Sequence, residues 1–212
     1  MEKNIFLKDP VKHIDIKSFD STGIIESMKD MSFTARDTAG AADILNKMIN
    51  DEECTIMLCI AGSTIAAGCM QIYVDMVKHQ VENEDNHVSI DSVKDFRELT
   101  EIKIKSQVSG LFMIGGGVPK NFAQDTVVCA EILGEDASMH KYAVQITVAD
   151  ARDGACSSST LKEARSWGKV STLYEQMVYA EATSVLPLII SYVYHGRSWE
   201  DRYQRRLSKI FD

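Results

Sequence analysis

Apolar positions along the chain follow two periods, one typical of helices and one typical of buried strands. From Thr38, a candidate N-cap, apolar residues recur at helical spacing as far as 50–51. They are Ala42, Leu45, Met48 and Ile49. A continuous apolar run at 54–60 then predicts a strand covered on both faces, and a turn at 61–64 leads into a second helix that ends near His79. This order is typical of a doubly wound α/β unit.

The pattern resumes after an acidic stretch, 81–87, where a parallel sheet would ordinarily supply another strand. A helix beginning at Ser89 or Asp91 leads into the apolar run 110–114, which ends in three glycines. The remaining predicted elements are, in order, a helix at 122–133, a strand at 142–148, a small-residue loop at 153–159, a short helix from Thr160, a strand at 176–180 and a helix at 182–194.

These elements predict an α/β fold with a doubly wound, mostly parallel, Rossmann-like sheet. We expect a single domain over residues 1–212, made of an N-terminal part at 1–80, a short linker at 81–89 and a C-terminal part at 90–212. The charged tail, 197–212, has apolar residues spaced as one helical face and is expected to clasp the body or a neighbouring subunit.

Composition narrows the class of protein. A net charge of −8 and a pI near 5.2 argue against nucleic acid or an anionic membrane as the main partner. The five cysteines show no CxxC spacing, and the five histidines show no metal-ligand spacing, so no metal is expected. No apolar run approaches the ~20 residues needed to cross a bilayer, and a cytoplasmic location is expected.

Two stretches have the residue types of a chemical site. Gly115, Gly116 and Gly117 stop a buried strand just before a helix, which places free backbone N–H groups where a phosphate could dock. Lys169 follows Trp167 and the probable C-cap Gly168, at the end of the short helix. An amine must be neutral to attack a carbon, which costs roughly 4–5 kcal/mol for an ordinary lysine at pH 7. Burial beside an indole lowers that cost.

Each of these residues also has a structural explanation. The triple glycine lacks GxGxxG spacing and is explained equally well by a tight turn after a strand. Lys169 is explained as a solvated lysine at a helix C-terminus, where the helix dipole favours a positive charge. A capping box, Thr160-Leu-Lys-Glu163, accounts for Glu163, and core packing accounts for Trp167. Asp153 is a residue type that is common in turns, and Asn121 is explained by its place in the first turn of its helix.

Four strings resemble the deoxyhypusine synthase family, and particularly its bacterial deoxyhypusine-synthase-like branch. They are Gly-Gly-Gly-Val-Pro-Lys-Asn-Phe (115–122), Tyr-Ala-Val-Gln-Ile-Thr (142–147), Glu-Ala-Arg-Ser-Trp-Gly-Lys (163–169) and Tyr-Ala-Glu-Ala-Thr (179–183). One such string alone would be a weak indication, whereas four in the right order are strong. The resemblance covers about 89–202, and more loosely 32–80.

The resemblance implies an NAD-dependent aminobutyl transferase. In that family NAD takes a hydride from spermidine, diaminopropane departs, and the butylamine group is held as an imine on a lysine. It then passes to a lysine of the translation factor that carries hypusine, or to a diamine. By position Lys169 is the carrier, and Trp167, Glu163 and Asn121 contact the polyamine. The positions that line the cofactor site are Gly115, Gly116, Gly117, Asp153, Ser157 and Glu181.

The chain also departs from the family. A large family segment, which helps to grip spermidine and seat NAD, is reduced here to the acidic linker. The family usually has aspartate at Glu181, and Val148 and Ala155 replace hydroxyl residues of eukaryotic members. Two hypotheses follow: a homo-oligomeric transferase, or a catalytically impaired paralogue that oligomerises with a full-length partner.

Overall fold

In the computed structural model, four strands lie side by side in one parallel sheet, in the order of the chain. They are β1 (Cys54–Ile60), β2 (Val108–Ile114), β3 (His140–Thr147) and β4 (Val170–Tyr179). The structure describes residues 14–61, 70–85, 91–156, 159–203 and 207–211. Helices connect the strands and cover both faces of the sheet, which confirms the predicted α/β, Rossmann-like class.

The helices form two layers around the sheet. One face is covered by α1 (Thr22–Met28), α2 (Phe33–Asn50) and α7 (Ala182–His195), and the other by α4 (Ser92–Lys105), α5 (Val118–Ile132) and α6 (Leu161–Ser166). The remaining elements within the described ranges are α3 (Met70–Glu82) and two short 3₁₀ turns, Gly154–Cys156 and Leu207–Ile210. None of the helices in these described ranges combines the length and apolarity needed to cross a bilayer.

Alternate residues of the central strands belong to two separate cores. Phe112 and Val144 pack against α2 and α7, whereas Leu111 and Met113 pack against α4, α5 and α6. Because both faces of β2 are buried, its second half reads as a continuous apolar run, whereas β3 is also buried on both faces but includes the polar residues His140 and Gln145.

The predicted boundaries hold best for the apolar run of β1 and where a side chain caps a helix. The expected cover on both faces of β1 was wrong, because β1 is an edge strand that leaves Leu58 and Ile60 exposed. Strand β1 occupies the predicted 54–60, and Asp91 caps α4 by accepting backbone N–H donors from Val93 and Lys94. The structure corrects several other boundaries, including the start of α5, which is Val118 instead of 122, and the starts of β2 and β3, which each lie two residues earlier than predicted. Helix α2 begins at Phe33 instead of Thr38, whose hydroxyl donates back to the Thr34 carbonyl within the helix, and β4 begins at Val170 rather than at 176.

The C-terminal tail clasps the body through Arg202, together with hydrogen bonds from Ser198 and Trp199, rather than through a helical face. In its described part, residues 198–201 form turns and Leu207–Ile210 is a 3₁₀ turn, so a helix over 197–212 was a wrong prediction. The Arg202 guanidinium donates to carbonyls at the end of α2 and the start of β1. The carbonyls of Met48 and Ile49 belong to the last turn of α2 and have no partner within the helix, so the arginine satisfies acceptors that would otherwise require water, whereas the Asp51 carbonyl also accepts from Cys54 N–H.

A buried polar cluster lies at the amino edge of the sheet. His140 is fully buried, with Nδ1 2.9 Å from the Ser109 hydroxyl and Nε2 3.2 Å from the Ala123 carbonyl. Burial, reinforced by the nearby positive charge of Lys103, lowers the pKa of His140 to about 3. Lys103 Nζ is itself buried with no hydrogen-bond partner in the described part of the chain, and its pKa is lowered by burial.

We expect this histidine to make folding sensitive to acid. An unfolded histidine binds a proton near pH ~6.5, whereas the folded His140 stays neutral until about pH 3. The free energy of unfolding is therefore greatest above pH ~6.5 and falls as the pH decreases through this window, by about 2 kcal/mol at pH 5. Urea unfolding at pH 7.5 and pH 5 should show a smaller loss for His140→Gln than for the wild type. The exposed His79→Gln control should keep the full loss.

Candidate functional site

The three consecutive glycines join β2 to α5. Gly115 donates its N–H to the Ile146 carbonyl and accepts a bond from Gln145 Nε2, and a Cβ at this position would lie 2.9 Å from Ala61 Cβ. Gly117 is the N-cap of α5 with φ of +66°. The first glycine is thus explained by close packing and the third by its left-handed conformation. The first-turn N–H groups of α5 face the carboxyl edge of the sheet.

Two further predicted cofactor residues lie at the same edge. Asp153 follows β3 and precedes the 3₁₀ turn, and its N–H donates to the Asp150 carbonyl. Glu181 is the N-cap of α7, just after β4, and its carboxylate accepts from the Thr183 hydroxyl, which lowers the pKa of Glu181. Ligands bind at this edge in open parallel sheets. Ser157 lies outside the described residues.

Lys169 connects α6 to β4 and is fixed on both sides. Its backbone N–H donates to the Ala164 carbonyl, and its own carbonyl accepts from His140 N–H. Gly168, with φ of +71°, provides the predicted left-handed cap. The lysine side chain is 19% exposed, and Nζ lies 2.6 Å from Asp125 Oδ1. This amine is therefore partly desolvated and ion-paired, rather than free in water.

Two predicted substrate residues lie in and just after α6, and Trp167 contacts the lysine. Trp167 is 67% exposed, so packing in the core does not explain it, and its ring centroid lies 5.6 Å from Lys169 Nζ. Glu163 is exposed in the first turn of α6, where its N–H donates to the Thr160 hydroxyl, as the capping box predicts. An indole face and a carboxylate beside the amine form a surface suited to cationic ligands.

Sequence reasoning missed a second lysine, Lys120, which is 1% exposed in the first turn of α5. Its Nζ donates to the carbonyls of Cys156 and Ser159, which fastens the loop after β3 to α5. Burial lowers the pKa of Lys120, and Lys169 and Glu163 are close enough to influence it electrostatically. A lysine near a helix N-terminus is unfavourable for the helix dipole, and that was the available sign of a special role.

Removing the Lys120 amine should loosen this loop. Lys120→Met leaves two carbonyl oxygens without their buried donor, and we expect it to lower the free energy of unfolding by about 1–3 kcal/mol. Urea denaturation measures the change. Lys105→Met, at an exposed position on α4, is the matched control and should change stability by less than about 0.5 kcal/mol.

A cleft of about 510 Å³ lies between α4, the start of α5 and the 3₁₀ turn. Asn121 and Asp125 line it from successive turns of α5, together with Gly117, Gly154 and apolar residues of α4. Asp125 was also missed, although its spacing of four from Asn121 places both side chains on one helical face. Among the described residues, no three His, Cys, Asp or Glu side chains are grouped to hold a metal ion.

The cleft extends from the glycine turn to Asp125, the ion-pair partner of Lys169, which lies just before β4 at the opposite, amino edge of the sheet. Asp125 lies eight residues after Gly117, or roughly 12 Å along the axis of α5. Asp125 thus contacts Lys169 at one end of the site, while Gly117 marks the other. The candidate site therefore extends along α5 from the carboxyl edge of the parallel sheet. This arrangement is typical of a Rossmann-like α/β protein, and here it includes a partly buried amine.

Comparison with known sequences identifies the family. The sequence profile described as "Deoxyhypusine synthase" matches residues 23–83 and 79–193. These two segments contain every described residue of the candidate site, from Gly115 to Glu181. The chain belongs to the deoxyhypusine synthase family.

Curated relatives agree with this assignment. The "Deoxyhypusine synthase-like protein" of Coxiella burnetii is 39% identical over 336 aligned positions, covering 99% of this chain and 96% of the relative. The protein of the same name in Chlorobaculum parvum is 38% identical over 339 positions, covering 100% and 97%. A "Probable deoxyhypusine synthase 2" of Methanosarcina mazei is 41% identical over 125 positions, covering 58% and 35%.

The alignment also locates a large internal difference. An alignment of 336 positions against a chain of 212 residues leaves at least 124 positions of the Coxiella burnetii relative without a counterpart. The two segments that match the family profile meet at 79–83, at the end of α3. The difference therefore falls at the acidic stretch where the sequence analysis places the reduced family segment.

Proposed function

We propose that this protein is an NAD-dependent aminobutyl transferase that uses spermidine. The butylamine group is held as an imine on Lys169 and passed to a protein lysine or to a diamine. The observation that supports this most strongly is the environment of Lys169: it is 19% exposed, 2.6 Å from a carboxylate and over an indole ring, in a chain of the deoxyhypusine synthase family.

The residues at the carboxyl edge fit a dinucleotide. The first-turn N–H groups of α5 after Gly117 would bind phosphate, and the carboxylates of Asp153 and Glu181 would accept hydrogen bonds from ribose hydroxyls. Gly115, Gly116 and Ser157 complete the proposed set. When bound, NAD supplies the acceptor for the hydride that amine oxidation releases.

The polyamine would lie along the cleft toward Lys169. Its ammonium groups would face the Trp167 ring and the Glu163 carboxylate, with Asn121 as a hydrogen-bond partner. A cation between an indole and a carboxylate keeps its charge stabilised while its apolar methylenes contact the walls of the cleft. Phe96 and Val93 provide such walls.

Lys169 acts as the nucleophile in the covalent step. Its neutral Nζ attacks the carbon of the oxidised C=N bond, the bond from that carbon to the departing nitrogen breaks, and diaminopropane leaves as a free amine. Nζ keeps the carbon as a protonated imine, so atoms and charge balance. The indole and the protein walls limit water access, which slows hydrolysis of the imine.

Cofactor binding and turnover test this proposal separately. Calorimetry should detect saturable NAD binding, and spermidine should then produce reduced cofactor, seen by its absorbance, together with diaminopropane. Omitting spermidine is the matched control and should give neither product. Absence of NAD binding to the purified chain, under conditions where the Coxiella burnetii relative binds it, would overturn the proposal.

A second candidate function follows from the absent segment. Leu58 and Ile60 on the outer strand β1 are 60% and 57% exposed, beside an apolar groove of about 750 Å³ lined by β1, β2, α2 and α7. A chain with this edge would act as a subunit that oligomerises with a full-length partner. Light scattering of the chain alone and mixed with the Coxiella burnetii relative tests it, and a monomer unaffected by the relative would contradict it.

A further inference from the structure

The ion pair between Lys169 and Asp125 presents a chemical difficulty for the proposed function, on which this inference rests. A carboxylate 2.6 Å from Nζ stabilises the charged ammonium, whereas nucleophilic attack requires the neutral amine. The resting arrangement therefore holds the nucleophile in its inactive form. An event coupled to substrate binding must therefore break the ion pair between the Asp125 carboxylate and the Lys169 ammonium.

The surroundings of Asp125 indicate which ligand can break this ion pair. Its side chain is 43% exposed and lines the cleft, so a ligand can reach it without displacing the core. Within the described ranges, Lys169 is the charged partner that Asp125 contacts. Because polyamines are cations of the same chemical type as the lysine ammonium, one of their ammonium groups can replace Nζ at this carboxylate.

A second amine also lies near Lys169. Lys120 is buried on α5 and interacts electrostatically with Lys169, and a like charge nearby disfavours a second ammonium. The opposing groups are Glu163 on α6 and the Trp167 ring, both of which are exposed and screened by water. The Cys156 thiol also lies near Lys120. An incoming polyamine adds positive charge to this set.

We propose that Asp125 exchanges its cation on substrate binding. An ammonium group of the polyamine takes the place of Lys169 Nζ, and the released lysine gives its proton to solvent and becomes the neutral nucleophile. Asp125 is thus both an anchor for the polyamine and a positioning residue that keeps Lys169 unreactive until the substrate is present. No carbon–nitrogen bond forms or breaks in this exchange; one N–H bond of the Lys169 ammonium breaks, and its proton goes to solvent for each polyamine bound.

Proton-linkage calorimetry on the full chain tests the exchange without any turnover. Spermidine binding is measured without NAD at one pH near 7.5, in phosphate and in Tris, whose ionisation heats differ. We expect release of up to one proton per spermidine bound by the wild type. Asp125→Asn should release none and bind spermidine at least about 5-fold more weakly, because the anchor has lost its charge. Asp136→Asn, at an exposed loop position, should behave as the wild type.

A second variant separates the exchange from a simple binding role. Lys169→Arg keeps the cation at this position but cannot lose a proton near neutral pH, so it should bind spermidine without proton release. Binding by the wild type without proton release, or equal release by Asp125→Asn, would overturn the inference. So would failure of spermidine to bind. A protein that shows the linkage but no NAD reduction would instead contradict only the proposed transferase.

Discussion

Lys169→Arg is expected to abolish transfer, lowering kcat/KM by at least ~10³-fold, because a guanidinium cannot form the imine that carries the butylamine group. The positive charge opposite Asp125 is retained, so the ion pair and the fold should survive. Diaminopropane release from spermidine, measured by chromatography, gives the rate. Circular dichroism and the urea midpoint establish that the variant is folded.

Lys162→Arg is the matched control for this substitution. Lys162 lies on α6, seven residues before Lys169, and its side chain is exposed. The same chemical change there should leave the rate within about 2-fold of the wild type. A Lys169→Arg protein that still turns over at the wild-type rate would show that another group carries the intermediate.

Leu161→Ala should cause the largest loss of stability among the substitutions considered, about 2–5 kcal/mol. Leu161 is fully buried as the first residue of α6, and it packs in one cluster with Ala123 of α5 and Val170 of β4. Truncating it leaves a cavity beneath the helix that positions Trp167. Urea denaturation at pH 7.5 measures the effect on the free energy of unfolding.

The control for that substitution is Leu173→Ala on β4, where the side chain is 71% exposed. It removes the same atoms without opening a cavity, so the free energy of unfolding should change by less than about 0.5 kcal/mol. A loss of less than about 1 kcal/mol for Leu161→Ala would mean that α6 is not held by this packing. Equal effects of the two substitutions would contradict the account in the same way.

The sheet was largely predictable from the sequence. Strand β1 at 54–60 was predicted with its observed bounds because its residues form a nearly continuous apolar run, but the expected cover on both faces was wrong, since Leu58 and Ile60 are exposed at the edge of the sheet. The cap at Asp91 and the left-handed Gly168 were predictable too, since both depend on local chemistry. Local patterns of this kind do not require knowledge of the tertiary structure.

The boundaries that failed depend on distant contacts. The start of β4 at Val170 is fixed by pairing with His140 of β3, which no local pattern reveals. The tail was predicted as a helical face, but Arg202 instead binds carbonyls around Asp51, some 150 residues away in the chain. Long-range hydrogen bonds of this kind override the local periodicity of apolar residues.

Part of the candidate site was also predictable from the sequence, and part of it was not. Motif resemblance selected Lys169 and Trp167, which the structure places within 5.6 Å of each other, but it did not select Asp125. The contact between Asp125 and Lys169 joins α5 to the connection between α6 and β4, 44 residues further along the chain, so it becomes visible only in the folded chain. Lys120 was missed because a lysine is rarely buried, and its partners are backbone carbonyls rather than recognisable side chains.

Trapping the intermediate tests the central claim most directly. The purified chain is incubated with spermidine and NAD, reduced with borohydride, digested and examined by mass spectrometry. The account predicts a mass increment of one butylamine group on Lys169, absent when NAD is omitted and absent from Lys169→Arg. An unmodified Lys169, under conditions where the Coxiella burnetii relative is modified, or an adduct on Lys120 instead, would contradict it.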